Sequence, residues 1–443
     1  MSETCLVIEQ SLGLNGQAEL YGAKNAVLVI MASLILTNGK SRLTNVPRSD
    51  DVLQMIKLLR KLGAQVSFYE DEHVLEVDTS TINNFAVGAD IMKKMRASVL
   101  VMGPLLARFG RADIALPGGC VIGERPINYH VSNFVKMGVD VEIDGEVLRA
   151  RALKLAASKL VLEYPSVGAT ENIMMAAVLT PGTTRIINAA LEPEVLDLIA
   201  VLKKMGAQIN LLPPATIEIQ GVDQLKPVEH AILFDRLEVG ALLVATAITG
   251  GQIHIPQAPA YALDIVLMKL GEMGHHIEVG PEEVGIRFKA TQSPRAVSFK
   301  TAPYPGFPTD LQAPMMAAQC IADGTCVIEE TVFENRLLHT RELQKMGAQI
   351  KVEHNKAFIT GVDELYGTKV IATDIRASCA LVAAGLCAQG TTIMTGVHHW
   401  RRGYDALEKK LAALGARIEC ATTETADIAQ YSTTAGVWEQ IRS

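Results

Sequence analysis

Six stretches of the chain are apolar on every side, and each runs into a glycine followed by a β-prone segment. They read NAVLVIMASLIL from Asn25, ASVLVMGPLLARF from Ala97, NIMMAAVLT from Asn172, VGALLVATAIT from Val239, LQAPMMAAQCIA from Leu311 and SCALVAAGLCAQ from Ser378, with Gly39, Gly110, Gly182, Gly250, Gly324 and Gly390 behind them. A helix with no polar face has to be buried all round. The pattern therefore predicts six internal helices. A second, amphipathic element recurs beside them: RKLGAQVSF, VKMGVDVEI, KKMGAQINL, GEMGHHIEV, QKMGAQIKV and AALGARIEC. Each predicts a surface helix stopped by a glycine and followed by an alternating strand. Their glycines, Gly63, Gly138, Gly206, Gly274, Gly347 and Gly415, are separated by 75, 68, 68, 73 and 68 residues. This period is too long for the common solenoids. Six units of two helices and several short strands tile almost the whole chain, as a pair of three-unit globules. GVDQL from Gly221 and GVDEL from Gly361, two periods apart, support that reading.

The apolar excess, 49% hydrophobic residues with mean hydropathy +0.22, belongs inside protein. The longest run, from Asn25, is shorter than the roughly 20 residues a bilayer requires. At 443 residues the chain exceeds what one core serves, which leaves room for two domains and a cleft. The start of the sequence lacks a basic segment, apolar stretch and cleavage site in the order of an export signal, so the cytoplasm is expected. The seven cysteines follow no metal or disulfide spacing. A net charge of −7 without basic runs argues against a nucleic-acid partner.

Polar groups stand at the mouths of the buried helices rather than along them: Lys24 and Asn25, Arg96, Ser166 to Asn172, Asp235 with Arg236 and Glu238, Asp310, and Asp374 with Arg376. Helix N-termini carry unpaired N–H groups and partial positive charge. With Lys24, Arg96 and Arg376 added, they form a trap for small anions. Away from these helices, LPGGCVIGERP from Leu116 sets Cys120 on a glycine hinge and Arg125 before a proline, a place suited to chemistry rather than packing. Cys320, Cys379 and Cys387 instead lie within buried-helix sequences, and the methionine pairs at 174 and 315 read as core. His398 and His399 are expected to face opposite sides of a strand.

Taken together and in order, GAKNA, MRAS, LPGGCVIGERP, PSVGATENIM, GFPTDLQA, TVFENR and DIRAS resemble the UDP-N-acetylglucosamine 1-carboxyvinyltransferases, a family of enolpyruvyl transferases, from about residue 8 to residue 420. The resemblance implies an α/β fold: a two-domain inside-out α/β barrel of six βαβαββ repeats, three per domain, around buried helices. The implied domains are 23–231, carrying the Cys120 loop, and 1–22 with 232–443, ending in a polar tail from about 421. The implied reaction moves the enolpyruvyl group of phosphoenolpyruvate to the 3-hydroxyl of UDP-N-acetylglucosamine and releases phosphate, the first committed step of peptidoglycan synthesis. No cofactor or metal is implied.

By resemblance the catalytic residues are Cys120 as acid, Asp310 as base, Lys24 and Arg402. Phosphoenolpyruvate falls to Lys24, Asn25, Arg125, Arg336, Arg376 and Arg402, fixed cations that meet charge shifting toward phosphate. The UDP-sugar falls to Arg96, Arg125, Pro126, Ile127, Asn128, Tyr129, Ser166, Val167, Gly168, Asp310 and Val332. Fosfomycin-like epoxides are expected to alkylate Cys120. Three positions depart from the family pattern: Asn128 replaces an aspartate, Tyr129 an aliphatic residue, and Arg401 an aspartate beside Arg402. The first two leave open a paralogue acting on another uridine nucleotide. A silent UDP-sugar sensor and the shikimate-pathway transferase are the remaining alternatives. Cys120, Asp310 and five pocket cations speak against the first, as against a repeat scaffold, which has no need of clustered like charges, and the second does not use the PGGC loop.

Overall fold

The computed structural model describes residues 3–116, 127–424 and 426. Contacts divide the described residues into two compact units: one of 21–116 with 127–233, from Tyr21 to Leu233, the other of 3–20 together with 234–424 and 426, from Phe234 onward. Each unit has its own large hydrophobic core. Among the described residues they hold six four-stranded sheets.

The third repeat shows how the sequence builds one sheet. The edge strand Lys159–Val161 leads into the buried helix Val167–Ala177, and the strand Thr183–Ile187 returns parallel to the first. The amphipathic helix Pro193–Met205 follows, stopped at Gly206 with φ 110°. The chain then makes the hairpin Gln208–Leu212 and Thr216–Gln220, whose second strand inserts beside Thr183–Ile187. A parallel return needs a helical crossover, whereas the antiparallel pair needs only a short turn. The result is βαβαββ. All six glycines of the Leu/Met-Gly motif have φ between 84° and 110°, the left-handed region that a side chain rarely enters.

Two long-range strands complete the sheets. In the unit from Tyr21 to Leu233, the edge strand of the first repeat is Glu229–Ala231, parallel to Lys40–Thr44, although it comes from the unit's far end. In the other unit, Asn15–Gln17 forms the edge beside Gln252–Pro259, and Thr4–Glu9 lies between Thr391–Thr395 and Arg417–Thr422. The N-terminal strands are thus structural parts of the fourth and sixth repeats.

The apolar stretches form the predicted internal helices. All but the last residue of Arg236–Thr249 is buried, and only Asn25 is exposed in Lys24–Ser33. Each fully buried Leu, Ile or Val among them contributes about 1.5–3 kcal/mol relative to exposure. Two of the six begin differently from the simple helix expected. ASVLVMGPLLARF opens as a 3-10 segment, Arg96–Val101, before the helix Met102–Phe109, and TDLQAPMM opens as Thr309–Leu311 before Gln312–Gln319. The physical reason is shared. Pro104 and Pro314 have no N–H to donate and so sit in the first turn of the α-helix, leaving a tighter turn ahead of them. At the first of these junctions Asn172 supplies the missing bonds: its Oδ1 accepts from Gly103 N at 2.6 Å and its Nδ2 donates to Val99 O at 2.9 Å. A Cβ on Gly103 would lie 2.2 Å from Asn172 O, so this approach requires glycine. Among the described residues no helix is long and apolar enough to cross a membrane.

Candidate active site

In the unit from Phe234 onward, the turn GFPTDL carries Asp310 to the mouth of a buried helix. One carboxylate oxygen accepts from Arg336 Nη2 at 2.7 Å and the other from Arg376 Nη2 at 2.7 Å. Both arginine side chains are 5% exposed and Asp310 is 25% exposed, so the cluster meets solvent mainly through its carboxylate. Arg376 stands in the first turn of Ile375–Cys387, whose Asp374 cap accepts from Arg376 N at 2.8 Å and Ala377 N at 3.0 Å. Its Nη1 donates to the Tyr404 hydroxyl at 3.0 Å. Burial works against the Arg376 charge, but the Asp310 carboxylate, with Tyr404 and Asp235, outweighs it and holds the guanidinium pKa well above its ordinary value. Burial, reinforced by Cys379 and only partly opposed by Arg376, pushes the Tyr404 phenol up. Arg336 Nη1 donates to Thr309 Oγ1 at 3.0 Å, while its Nε is buried without a partner. Two planar forks fixed side by side can engage a carboxylate or phosphate with directed bonds.

The start of a third buried helix belongs to the same neighbourhood, since Asp235 acts electrostatically on Arg376. Asp235 caps its own helix through Leu237 N at 2.8 Å and Glu238 N at 3.3 Å. Burial raises Glu238 to about 7, against the pull of its ion-pair partner Lys410. Arg402 is half-buried on the helix Val397–Gly403 and acts electrostatically on His399. A Cβ on Gly403 would lie 2.3 Å from Ile375 Cγ2; glycine therefore lets this helix lie against the start of Ile375–Cys387 and deliver Tyr404 to Arg376. His398 and His399 sit on this helix with rings 4.0 Å apart, not across a strand as expected, because the chain turns helical directly after Gly396. Arg401 is exposed and hydrogen-bonds Cys420. Val332 is half-buried, its N–H donating to Glu330 Oε1 at 2.8 Å.

In the unit from Tyr21 to Leu233, Lys24 opens the helix Lys24–Ser33 and is buried, its Nζ 3.3 Å from Asp51 Oδ2. Asn25 is exposed. Ser166 caps Val167–Ala177 through Ala169 N at 3.4 Å. His130 joins this helix start to Arg96. A Cβ on Gly168 would lie 3.4 Å from His130 Cε1, His130 Nδ1 lies 3.0 Å from Asn172 Nδ2, and burial, with Arg96 second, lowers the imidazole to about 4. Ile127 and Tyr129 pack partly buried on the core, and exposed Asn128 accepts from Tyr129 N at 3.0 Å. Cys120, Arg125 and Pro126 lie outside the described residues.

The structure thus brings Asp310, Arg336 and Arg376 into one cluster, and Arg96 with the 166–168 turn into another. Four participants were not visible in the motifs. Asp51 and Asp50 look alike as first-turn acids, yet Asp51 is the one turned inward. Glu330 follows a strand like many surface acids but is 2% exposed. Tyr404 and His130 lie outside the motif segments, and only three-dimensional packing shows what they touch.

The family model described as EPSP synthase (3-phosphoshikimate 1-carboxyvinyltransferase) matches residues 8–411. The chain belongs to this family of enolpyruvyl transferases. Within it, the chain is 47% identical to UDP-N-acetylglucosamine 1-carboxyvinyltransferase 1 of Caldanaerobacter subterraneus over 94% of this chain and 99% of that protein. It is 45% identical to the UDP-N-acetylglucosamine 1-carboxyvinyltransferase of Cellvibrio japonicus over 93% and 98% of the two chains. Among solved structures, the enolpyruvyl transferase NikO of Streptomyces tendae superposes with TM-score 0.87 at 24% identity, covering 96% of this chain and all of that one. The EPSP synthase of Acinetobacter baumannii superposes with TM-score 0.74 at 15% identity, over 95% of this chain and all of that one. These two likenesses concern the fold.

Proposed function

We propose that the protein transfers the enolpyruvyl group of phosphoenolpyruvate to the 3-hydroxyl of UDP-N-acetylglucosamine, releasing phosphate, as the first committed step of peptidoglycan synthesis in the cytoplasm. The observation that carries this reading is identity of 45–47% over almost the full length of relatives with that name, against 15% for a shikimate-branch structure. The units from Tyr21 to Leu233 and from Phe234 onward, the latter with the N-terminal strands, are the two enolpyruvyl transferase domains of this reading.

In this reading the sugar oxygen bonds to C2 of phosphoenolpyruvate while the Cys120 thiol gives its proton to C3, breaking the enol double bond. Asp310 takes the hydroxyl proton. In the second half of the reaction C3 gives a proton back to the Cys120 thiolate, the double bond re-forms, and the bond from C2 to the phosphate oxygen breaks, the departing phosphate taking the proton held by Asp310. Lys24, Asn25, Arg125, Arg336, Arg376 and Arg402 hold phosphoenolpyruvate and meet the charge that collects on the leaving phosphate. Arg96, Arg125, Pro126, Ile127, Asn128, Tyr129, Ser166, Val167, Gly168, Asp310 and Val332 hold the UDP-sugar. Both Asp310 oxygens are occupied by guanidinium N–H groups, so the carboxylate reaches a sugar hydroxyl through its remaining lone pairs.

Proton NMR of the product tests the reaction: the proposal expects two vinylic signals on a UDP-sugar etherified at its 3-oxygen, and unchanged UDP-N-acetylglucosamine after complete incubation contradicts it. Fosfomycin adds a covalent mass to the intact protein at Cys120; Cys120→Ser is not labelled and turns over poorly.

A further inference from the structure

Glu330 is a buried carboxylate whose four side-chain bonds all come from neutral donors. Oε1 accepts from Thr301 Oγ1 at 3.0 Å, Val332 N at 2.8 Å and Phe333 N at 3.1 Å; Oε2 accepts from Thr309 Oγ1 at 2.9 Å. Its backbone is fastened as well, with its N–H donating to Asn355 O at 2.8 Å and its carbonyl accepting from Asn355 Nδ2 at 3.1 Å. Thr331 completes the clamp, its N–H donating to Thr301 Oγ1 at 2.8 Å and its hydroxyl to Thr301 O at 2.6 Å. A buried charge needs such a shell, because a lost partner leaves a desolvated oxygen unsatisfied.

The Thr309 hydroxyl has a second partner, Arg336 Nη1 at 3.0 Å. The direction of both bonds is fixed by chemistry. A guanidinium only donates and an ionised carboxylate only accepts, so Thr309 accepts from Arg336 and donates to Glu330. The hydroxyl is a one-way relay between a cation and an anion that do not touch. Arg336 is consequently held at two points, by Asp310 and by Thr309, while the same Glu330 carboxylate sets the backbone turn of Val332 and Phe333.

We infer that Glu330 is a positioning residue: through Thr309 it orients the Arg336 fork, and through two backbone N–H groups it fixes the turn that presents Val332. This rests on the proposed role of Arg336 with phosphoenolpyruvate and of Val332 with the UDP-sugar. The two arms of the relay separate. Removing the Thr309 hydroxyl disturbs the phosphoenolpyruvate side alone, whereas removing the Glu330 charge disturbs both.

The test is steady-state kinetics of the full chain for both substrates in Thr309→Val, Thr309→Ser, Glu330→Gln, their combination Thr309→Val/Glu330→Gln, and Arg336→Ala. Thr309→Val is expected to lower kcat/KM for phosphoenolpyruvate roughly 10- to 100-fold, the cost of a lost hydrogen bond to a charged group. Its KM for UDP-N-acetylglucosamine stays near that of the parent, its melting temperature falls because Glu330 Oε2 loses the Thr309 donor, and Thr309→Ser recovers most of both losses. Glu330→Gln adds a raised KM for the UDP-sugar. The double variant falls less on the phosphoenolpyruvate side than the two single losses multiplied, as members of one network do.

A Thr309→Val protein with parental kinetics overturns the inference, as does a Thr309→Ser protein impaired equally, or multiplicative losses in the double variant. Should Glu330→Gln fail to fold, the valine and serine pair still decides. Impaired Arg336→Ala beside normal Thr309→Val removes the relay alone. Unimpaired Arg336→Ala, or a parent chain with no turnover, removes the functional reading and the relay with it.

Discussion

The two units share one repeat but secure the mouths of their buried helices in different ways. From Phe234 onward the mouths are bound by charge: Asp310 bridges Arg336 and Arg376, Glu238 pairs with Lys410, and Asp235 and Asp374 cap their own helices. From Tyr21 to Leu233 the connections are mostly neutral. Asn172 bonds Gly103 and Val99, His130 lies against Asn172 and Gly168, and Ser166 provides the cap, with Lys24 and Asp51 as the buried ion pair. A carboxylate between two guanidiniums holds both forks in fixed geometry, because directed bonds are added to the Coulomb attraction. A neutral amide and imidazole fix shape equally well without consuming the positive ends of the helices. One unit thus holds a pair of guanidinium forks on a shared carboxylate, and the other sets Arg96 near His130 beside a helix start capped by Ser166.

The strongest way to break this comparison is at Asp310. Asp310→Asn should lower turnover by about 10²–10⁴-fold, the usual worth of a positioned acid or base. Melting temperature falls too, because Arg336 and Arg376 lose their shared partner. Turnover within a few fold of the parent would show that the bridge has no part in the chemistry. In the other unit Lys24→Ala should cost about 100-fold in kcat/KM for phosphoenolpyruvate, as removal of one stabilising group from a developing charge does. Asp51→Asn, which keeps the shape but not the charge, should cost about tenfold on the same parameter; equal losses in the two variants would mean that the aspartate does more than hold the lysine.

Smaller effects sharpen the contrast. His130 is lowered by burial to about 4 from an ordinary value near 6.5. Between those values the unfolded chain binds the proton and the folded chain does not. Its contribution is therefore intact above pH 6.5 and is lost as pH falls toward 4, with a slope of about 1.4 kcal/mol per pH unit. Denaturant unfolding of His130→Gln over that range should be flatter by about that slope, and an unchanged profile would show that the imidazole is not held neutral. Asp374→Ala should cost about 1 kcal/mol for a lost cap, read as a shift in the unfolding midpoint. Its effect on phosphoenolpyruvate kinetics exceeds what that stability loss explains, because the capped turn carries Arg376.

How much of this was legible in the sequence depended on whether the cause was local. The buried helices and the Leu/Met-Gly stops were readable because apolarity on every side and a left-handed residue each leave a signature within a few positions. The crossing of Thr4–Glu9 into a sheet with Thr391–Thr395 leaves none, since an alternating strand does not encode a partner so far away. The 3-10 starts at Arg96 and Thr309 could have been anticipated from Pro104 and Pro314, placed inside otherwise helical runs. His398 and His399 fit a strand as well as a helix by sequence, because nothing local distinguishes a short helix after Gly396 from an extended segment. At the site, Asp310, Arg336 and Arg376 stood out in motifs, but their mutual contacts did not. Glu330 resembles any acid closing a strand by sequence, and its four donors are gathered only by the fold.

Fixed cations at these helix mouths are proposed to serve transfer of an enolpyruvyl group to a UDP-sugar. Phosphate release from phosphoenolpyruvate, compared across UDP-N-acetylglucosamine, shikimate 3-phosphate and plain uridine nucleotides as acceptors, addresses it most directly. Rapid release is expected with UDP-N-acetylglucosamine and background release with the others. Release that is fastest with shikimate 3-phosphate, or absent with every acceptor, would contradict this.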